Sequence, residues 1–324
     1  LLEAGADATG EQGIAALSTA ASHDRINHFD LLAEYGAPAT PWLMVLCGMT
    51  DRVISMVDDT PDLSSSTDDQ GYTLMQAGAQ QLNRNARDGM RGAGRVLVEA
   101  LIARGVEVDV CTAAALNDEA RLGELLRNDP ARANQRLGDG KTPIDFAVRV
   151  RSRDTLRLLL QSGADPNLNA PLKEAARRDD TGTCRILIEH GALVTDQAVL
   201  AAAWGNQESA CLALMLDNGG NASAVDGRGT LHWVAGNPQS VQLLIDAGAD
   251  VNMRASGNRD TTPLHHAVGN IDSLARLLAA GADPTLDDAN GDTPLDLAQR
   301  RGLQDVVELL NQHIDASNAP DVSA

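Results

Sequence analysis

A short signature that ends a helix recurs along this chain and constrains its fold more than any other feature. It consists of two apolar residues, two variable ones and a glycine, and it ends at Gly5, Gly36, Gly105, Gly163, Gly191, Gly219, Gly248 and Gly281. The last four intervals are 28, 28, 29 and 33 residues. Glycine suits a left-handed C-terminal helix cap, where a Cβ would clash. Such a period predicts a repeat architecture in which each unit buries its apolar face only against its neighbours.

A second signature opens the repeated units. Thr142-Pro143, Thr262-Pro263 and Thr293-Pro294 each follow a turn-like Asp or Gly within a few residues, and Thr230-Leu231 is a degenerate copy. Threonine at the N-cap and proline in the first turn are typical of a helix start. Between the opening and the exit lie a short Ala-rich segment, a turn, and a second segment with Leu at helical spacing. Each unit is therefore predicted to be a pair of helices.

Together these residues resemble the ankyrin repeat. The pattern Asp-Gly-x-Thr-Pro-Leu-His, an Ala-rich helix, and Leu-Leu-x-x-Gly-Ala-Asp-x-Asn is matched best at Asp139 to Asn167 and at Asp260 to Leu310. The resemblance implies an all-α ankyrin-repeat solenoid of about ten stacked helix-turn-helix units with short β-turn or finger loops. We expect the array to cover residues 1–313 and residues 314–324 to form a disordered tail, since the end of the chain is small, polar and patternless.

The resemblance also implies a structural role for several polar residues. His232 and His265 stand at the histidine place of the opening signature, where the imidazole hydrogen-bonds the backbone of the neighbouring turn. Asp145 and Asp296 occupy the same place in two other units and are expected to act similarly. Trp233, one place after His232, is expected to pack between repeats.

Some units depart from the pattern. Residues 41–64 and 110–137 replace the Gly-Ala-Asp exit by segments with Pro61 and Pro130, and we expect them to remain helix pairs with altered loops. The units that start at Thr230 and Thr262 lack about two residues after the first helix, so these helices should be short. The segment Leu1 to Asp7 is the tail of a repeat whose beginning is missing, so we expect the N-terminal repeat to be incomplete, with self-association through that uncapped end left open.

Composition excludes several classes of function. A formal net charge of −19 repels phosphate backbones, and no apolar run approaches the ~20 residues of a membrane helix, so neither nucleic acid nor a bilayer is expected as partner. The four cysteines lack metal-like spacing and are predicted to be small buried hydrophobes. No nucleophile elbow or phosphate loop is present, and we therefore expect no enzyme, no cofactor, no metal and no small-molecule substrate. Cytoplasm is the default compartment, although an incomplete N-terminus leaves a targeting signal open.

Binding residues are predicted from the family's geometry. In ankyrin repeats, side chains at the end of the first helix and at the turn tips face the concave groove, where partners usually lie. Arginine and tryptophan are enriched among interface hot spots, although the helix macrodipole also favours arginine at these positions. The helix-end places and the positions just beyond them hold Arg149, Arg151, Arg177, Arg178, Trp204, Arg300 and Arg301.

An insertion between Ala77 and Val96 is the second candidate for binding, because polar excursions from a repeat often project on the binding side. A neutral surface loop is the alternative, since long insertions cost little. Its candidate contact residues are Arg84, Arg87 and Arg91.

Two functions follow from the sequence. The first is a protein–protein interaction module that binds a protein or peptide through the groove and loops. The second is an accessory or regulatory repeat region of a larger protein, of enzyme or toxin-immunity type, whose other domain lies upstream of residue 1.

Overall fold

The computed structural model describes residues 30, 33–34, 40–82, 92–205, 209–255 and 259–318. Within these residues the chain forms eighteen α-helices, which follow one another as nine helix pairs, and one two-stranded hairpin. The helices belong to two compact units, Leu1–Asn169 and Ala170–Ala324. The predicted helix-pair architecture is confirmed.

Within its described residues, the first unit contains four helix pairs. The first helices α1, α3, α5 and α7 contact each other in sequence order, and among the second helices α2 contacts α4 and α6 contacts α8. The four pairs are α1 (Pro41–Leu46) with α2 (Thr50–Asp59), α3 (Leu74–Gln81) with α4 (Ala93–Ala103), α5 (Val110–Leu116) with α6 (Glu119–Asn128), and α7 (Pro143–Val150) with α8 (Arg153–Gln161). Leucines at helical spacing, such as Leu122, Leu156 and Leu159, are fully buried between the pairs.

The altered exits of the first unit are short 3-10 helices, Pro61–Ser64 and Pro130–Asn134. The second of these still links neighbouring repeats. Asn134 donates a hydrogen bond from Nδ2 to the carbonyl of Gly163 over 2.8 Å and accepts one at Oδ1 from the backbone N–H of Asp165 over 2.7 Å. A side-chain amide thus ties this exit to the next one, and the prediction that these units remain helix pairs with altered loops is confirmed.

Two finger loops of the first unit touch each other. The finger around Gln70 and the finger around Gly138 belong to repeats that are separated by one further repeat. That repeat has only a short connection before α5, so the two fingers can meet. A Cβ on Gly138 would lie 1.5 Å from the carbonyl oxygen of Gln70, so only glycine fits there.

In the part of the second unit that the structure describes, there are five helix pairs and the hairpin. Its first helices contact each other in sequence order, and so do its second helices. The pairs are α9 (Pro171–Arg177) with α10 (Thr181–Glu189), α11 (Asp196–Gly205) with α12 (Ala210–Asp217), α13 (Thr230–Val234) with α14 (Pro238–Asp246), α15 (Pro263–Ala267) with α16 (Ile271–Ala279), and α17 (Pro294–Arg300) with α18 (Gln304–Asn318). The hairpin pairs β1 (Val225–Asp226) with β2 (Arg228–Gly229) in antiparallel register.

Helix starts and lengths in the second unit agree with the sequence. α13 and α15 have five residues each, which confirms that these two helices are short. Thr262 caps α15 and Thr293 caps α17, each followed by proline in the first turn. Gly281, which follows α16, has φ +89°, the left-handed conformation that the exit signature predicts.

The predicted C-terminal boundary is wrong. α18 continues to Asn318, whereas the sequence predicts a disordered tail from residue 314. Val306 and Leu310 are buried and fix the helix on the array. Between Leu310 and Asn318 the sequence has neither glycine nor proline, so nothing stops the hydrogen-bonded backbone before Pro320. Residues 319–324 lie outside the described residues.

Candidate partner-binding surface

Buried histidines join consecutive repeats of the second unit. His232 donates from Nε2 to the carbonyl of Thr261 over 2.9 Å, and His265 donates from Nε2 to the carbonyl of Asp292 over 3.0 Å. In His265, Nδ1 also accepts the backbone N–H of Thr262 over 3.2 Å. The two imidazoles therefore occupy the structural role that the sequence predicted, since each links its helix to the backbone that precedes the next first helix.

Two tryptophans form an exposed pair on the first helices of the second unit. Trp204 lies near the end of α11 with 68% of its surface exposed, and Trp233 lies in α13 with 39% exposed. Their ring centroids are 5.9 Å apart and the planes are inclined by 46°. Trp233 contacts Trp204 of the preceding repeat, as expected for packing between repeats, but 39% of its surface stays exposed.

An open cleft of about 700 Å³ lies beside this pair. Arg228 joins the two features, since its guanidinium lies 5.3 Å from the centroid of the Trp233 ring and its side chain also lines the cleft. The other polar side chains that line the cleft include Arg259, Thr261, His265, His266, Asp288, Asn290, Asp292, Arg300 and Arg301. We call the set Trp204, Trp233, Arg228, Arg259, His266 and Arg301 the Trp–Arg surface.

The cleft of the Trp–Arg surface is lined by four arginines and two aspartates, so positive side chains are in excess there. Burial first, and then the charges of Arg228 and Arg259, lower the pKa of His266 from 6.5 to about 4. Burial and the charge of Arg228 also lower the pKa of His232. A chain with a formal net charge of −19 thus holds a cleft that resists further positive charge. An anionic group is the complement of such a cleft.

Comparison with known proteins identifies the repeats. A family model described as "Ankyrin repeats (3 copies)" matches residues 198–288 and 231–319, and a model described as "Ankyrin repeat" matches residues 139–170. The crystal structure of the ankyrin repeat domain of Bcl-3, described as a unique member of the IkappaB protein family, superposes with a TM-score of 0.54. That match covers 62% of this chain and 98% of the Bcl-3 chain at 23% sequence identity, so it shows a shared fold. The chain is an ankyrin repeat protein.

Curated relatives of the ankyrin array include Neurogenic locus notch homolog protein 1 from several vertebrates. The human protein is 26% identical over 236 residues, a match that covers 63% of this chain and 9% of the relative. The protein from Xenopus laevis is 34% identical over 195 residues, covering 56% of this chain and 8% of the relative. The chain therefore spans less than a tenth of the length of these relatives.

The predicted arginines of the first ankyrin unit lie at the end of α7. Arg149 is half-buried, donates from Nη1 to the carbonyl of Gln80 over 3.0 Å, and lies 5.7 Å from the ring centroid of Phe146. Arg151 ends α7 in a left-handed conformation with φ +55°. Both residues thus contribute to how a helix ends or packs, and their role in binding stays a prediction.

Arg177 and Arg178 share one carboxylate. Both guanidinium groups pair with Glu174, with nitrogen–oxygen distances of 2.8 Å and 2.6 Å. Although burial acts to raise it, the pKa of Glu174 is held below its usual range by these hydrogen bonds. The two residues form a local ion pair on α9, and their predicted contact with a partner is untested.

Arg300 and Arg301 differ although they are adjacent. Arg300 pairs with Asp292 over 2.5 Å, whereas Arg301 is exposed and lines the cleft. Arg84, Arg87 and Arg91 lie outside the described residues, so the insertion between Ala77 and Val96 stays a prediction.

Four residues of the Trp–Arg surface are not singled out by the sequence as binding residues. Trp233 and His266 each follow the histidine of the opening signature, and this shared repeat position is a signal that could have identified them. Arg228 and Arg259 lie in the segments that precede α13 and α15, close to the turn tips that the family uses for binding. Aligning turn tips as well as helix ends would have included them.

The remaining predictions on chemistry concern cysteines, metals and membranes. All four cysteines are buried and none forms a disulfide, which confirms them as small buried hydrophobes. In the part of the chain that the structure describes, no group of three or more His, Cys, Asp or Glu side chains is arranged to hold a metal ion. Across the same residues, none of the helices combines the length and apolar character needed to cross a membrane.

Proposed function

We propose that this ankyrin array binds a protein or peptide partner through the Trp–Arg surface of its second unit. Ankyrin repeats are a type of protein-interaction module, and the exposed Trp204–Trp233 pair is the observation that points to this part of the array. Large aromatic side chains held in the open contribute little to folding, and they are typical anchors of an interface.

The energy available from the pair is sufficient for a hot spot. A tryptophan buries ~150–250 Å² when it is covered, so covering the exposed two-thirds of Trp204 removes roughly 100–150 Å² from water. At ~25 cal/mol per Å² this contributes about 3 kcal/mol before the entropic costs of association. The buried histidine bonds fix α13 and α15 relative to their neighbours, so little ordering of this surface is needed on binding.

A capture experiment tests the proposal. The full chain, the double variant Trp204→Ala/Trp233→Ala and the control Leu193→Ala are immobilised and exposed to a lysate of the source organism. Leu193 is exposed to the same extent as Trp204, at 68%, and does not line the cleft, so its removal controls for loss of apolar surface.

We expect one or more proteins to be retained by the parent and by Leu193→Ala, and lost from the double variant at unchanged circular dichroism. Identical retention by all three chains would show that the Trp–Arg surface is not the binding site. In that case the insertion between Ala77 and Val96 is the next surface to test.

A second proposal is that the array is an accessory or regulatory region of a longer protein, of enzyme or toxin-immunity type. The observation that favours it is the relatives' size, since the matched array is less than a tenth of each. The full-length open reading frame discriminates the two: a further domain before Leu1 supports the accessory role, and its absence removes it.

A further inference from the structure

The charges around the cleft are not neutralised evenly. Among the described residues, Arg228, Arg259 and Arg301 are exposed and have no carboxylate within salt-bridge distance, whereas Arg254 pairs with Asp260 and Asp287, and Arg300 pairs with Asp292. Three guanidinium groups at one cleft of a strongly acidic chain repel each other. A carboxylate from outside removes that repulsion and forms bidentate hydrogen bonds with the planar guanidinium fork.

The carboxylates that line the cleft are already engaged. Oδ1 of Asp288 accepts the backbone N–H groups of Asn290 over 2.8 Å and Asp292 over 3.1 Å, which holds the turn before α17. The Asp292 side chain pairs with Arg300. These two acidic groups serve the fold of their own loop, so they leave the three arginines open to an added acidic group.

The apolar and the positive parts of the surface are continuous. Arg228 stacks against Trp233 on one side and lines the cleft on the other, so the aromatic pair and the cleft meet at one side chain. A ligand that follows this surface meets an apolar platform and then a positive cleft. The cleft is open, and its volume of about 700 Å³ lies in the range of ligand-binding clefts.

We propose that the partner segment bound here is an acidic–apolar peptide, in which an apolar residue covers Trp204 and Trp233 and an adjacent Asp or Glu enters the cleft between Arg228, Arg259 and Arg301. This inference rests on the proposed function and specifies the chemistry of the partner. A nucleic acid is the less favoured occupant, because the net charge of −19 repels a long polyanion while leaving a short segment with one or two carboxylates free to bind.

Selection from a random peptide library tests this chemistry even while the natural partner is unidentified. A phage-displayed library of peptides of about twelve residues is selected against the full chain. The enriched peptides are then synthesised, and their affinities are measured by titration calorimetry for the parent and for matched variants.

Two triple variants separate the effect of the three cleft arginines on affinity from the effect of the net charge of the chain. Arg228→Gln/Arg259→Gln/Arg301→Gln removes the three cleft arginines. The control Arg127→Gln/Arg157→Gln/Arg185→Gln removes three exposed arginines on α6, α8 and α10, so both variants change the net charge by the same amount. Because charge-assisted hydrogen bonds are involved, we expect the cleft variant to bind at least ~30-fold more weakly and the control to change affinity less than ~3-fold.

The pKa of His266 provides a readout that a purely structural role of the arginines would not move. His232, His265, Arg228, Arg259, Asp288 and Asp292 are the charged or titratable groups around it. A bound carboxylate offsets the arginines, so the pKa of His266, followed by NMR, is expected to rise when an enriched peptide is added.

The possible outcomes are distinct. Enriched peptides with an apolar residue beside Asp or Glu that depend on both the tryptophans and the cleft arginines support the inference. Peptides that need the tryptophans and are indifferent to the arginines overturn the acidic specificity and leave the proposed function intact. Peptides indifferent to both sets, the absence of any enriched peptide, or tight binding of a single-stranded oligonucleotide probe at the same surface overturns the inference.

Discussion

Removing the His265 imidazole should uncouple the repeat of α15 and α16 from the repeat of α17 and α18. His265 is 3% exposed, and its ring contacts the cap of its own helix and the finger of the next repeat. The change His265→Ala leaves the backbone N–H of Thr262 and the carbonyl of Asp292 without this partner. Each such loss costs about 1–3 kcal/mol when the group is buried, and the Asp292 side is only partly buried, so we expect about 3 kcal/mol in total.

That loss is a large share of the free energy of unfolding of a single domain, which is about 5–15 kcal/mol. Urea unfolding followed by circular dichroism measures the total, and hydrogen exchange shows where it occurs. We expect the amides of α15, α16, α17 and α18 to exchange faster and those of α9 and α10 to change little, because repeats stabilise one another through nearest neighbours.

The matched control is His313→Ala. His313 is half-buried and its Nδ1 lies 3.0 Å from the carbonyl of Leu309, one turn earlier in the same helix, so this bond joins no repeats. Its removal should cost less than about 1 kcal/mol. If His265→Ala costs no more than His313→Ala, or if exchange rises equally throughout the unit, the account of inter-repeat coupling through histidine is incorrect.

Three further predictions concern packing, finger contact and pH. Leu159→Ala deletes a fully buried side chain and should lower the free energy of unfolding by about 3 kcal/mol. Leu158→Ala on the same helix removes a half-buried side chain and should lower it by about half as much. Equal losses in urea unfolding would contradict the burial pattern. Gly138→Ala places a Cβ 1.5 Å from a carbonyl oxygen of the neighbouring finger and should lower the free energy of unfolding by at least about 2 kcal/mol. In Gly140→Ala the new Cβ meets no atom within 4 Å, and the loss should be about 1 kcal/mol because φ is +82°. The reverse order in thermal melts would refute the finger contact. Because the pKa of His266 is lowered from 6.5 to about 4, the unfolded chain binds more protons between these values, and stability falls as the pH drops from 6.5 to 4. The full pKa difference corresponds to about 3 kcal/mol of stability, and partial exposure of the ring reduces this to roughly half. His266→Gln should therefore remove the dependence of the urea midpoint on pH in this range. An unchanged dependence would exclude His266 as its origin.

The helix pairs could be predicted because their signals are local. A threonine cap with proline in the first turn and a glycine at the exit fix where a helix begins and ends, whatever lies around it. The shortness of α13 and α15 was predictable for the same reason, since it depends on the number of residues between two local signals. The end of α18 was missed because a small, polar composition is not a stop signal, and no glycine or proline interrupts the helix before Asn318.

The binding surface was predicted only in part, since it depends on which side chains neighbouring repeats leave uncovered. Trp204 was identified from its place at a helix end, but its stacking with Trp233 depends on the relative position of α11 and α13. The spacing of Arg177 and Arg178 from Glu174 indicates pairing within one helix, but no such local signal shows that Arg228 and Arg301 stay unpaired among the described residues. The distances around the cleft arginines are set only after the repeats have stacked.

Hydrogen exchange of the full chain, with and without a captured partner or an enriched peptide, tests the central claim most directly. The Trp–Arg surface predicts protection at the end of α11 and in the hairpin of Val225–Gly229, with the second helices α10, α12 and α14 unchanged. Protection confined to those second helices, or to the first unit, would show that partners bind elsewhere on the array and would contradict the account.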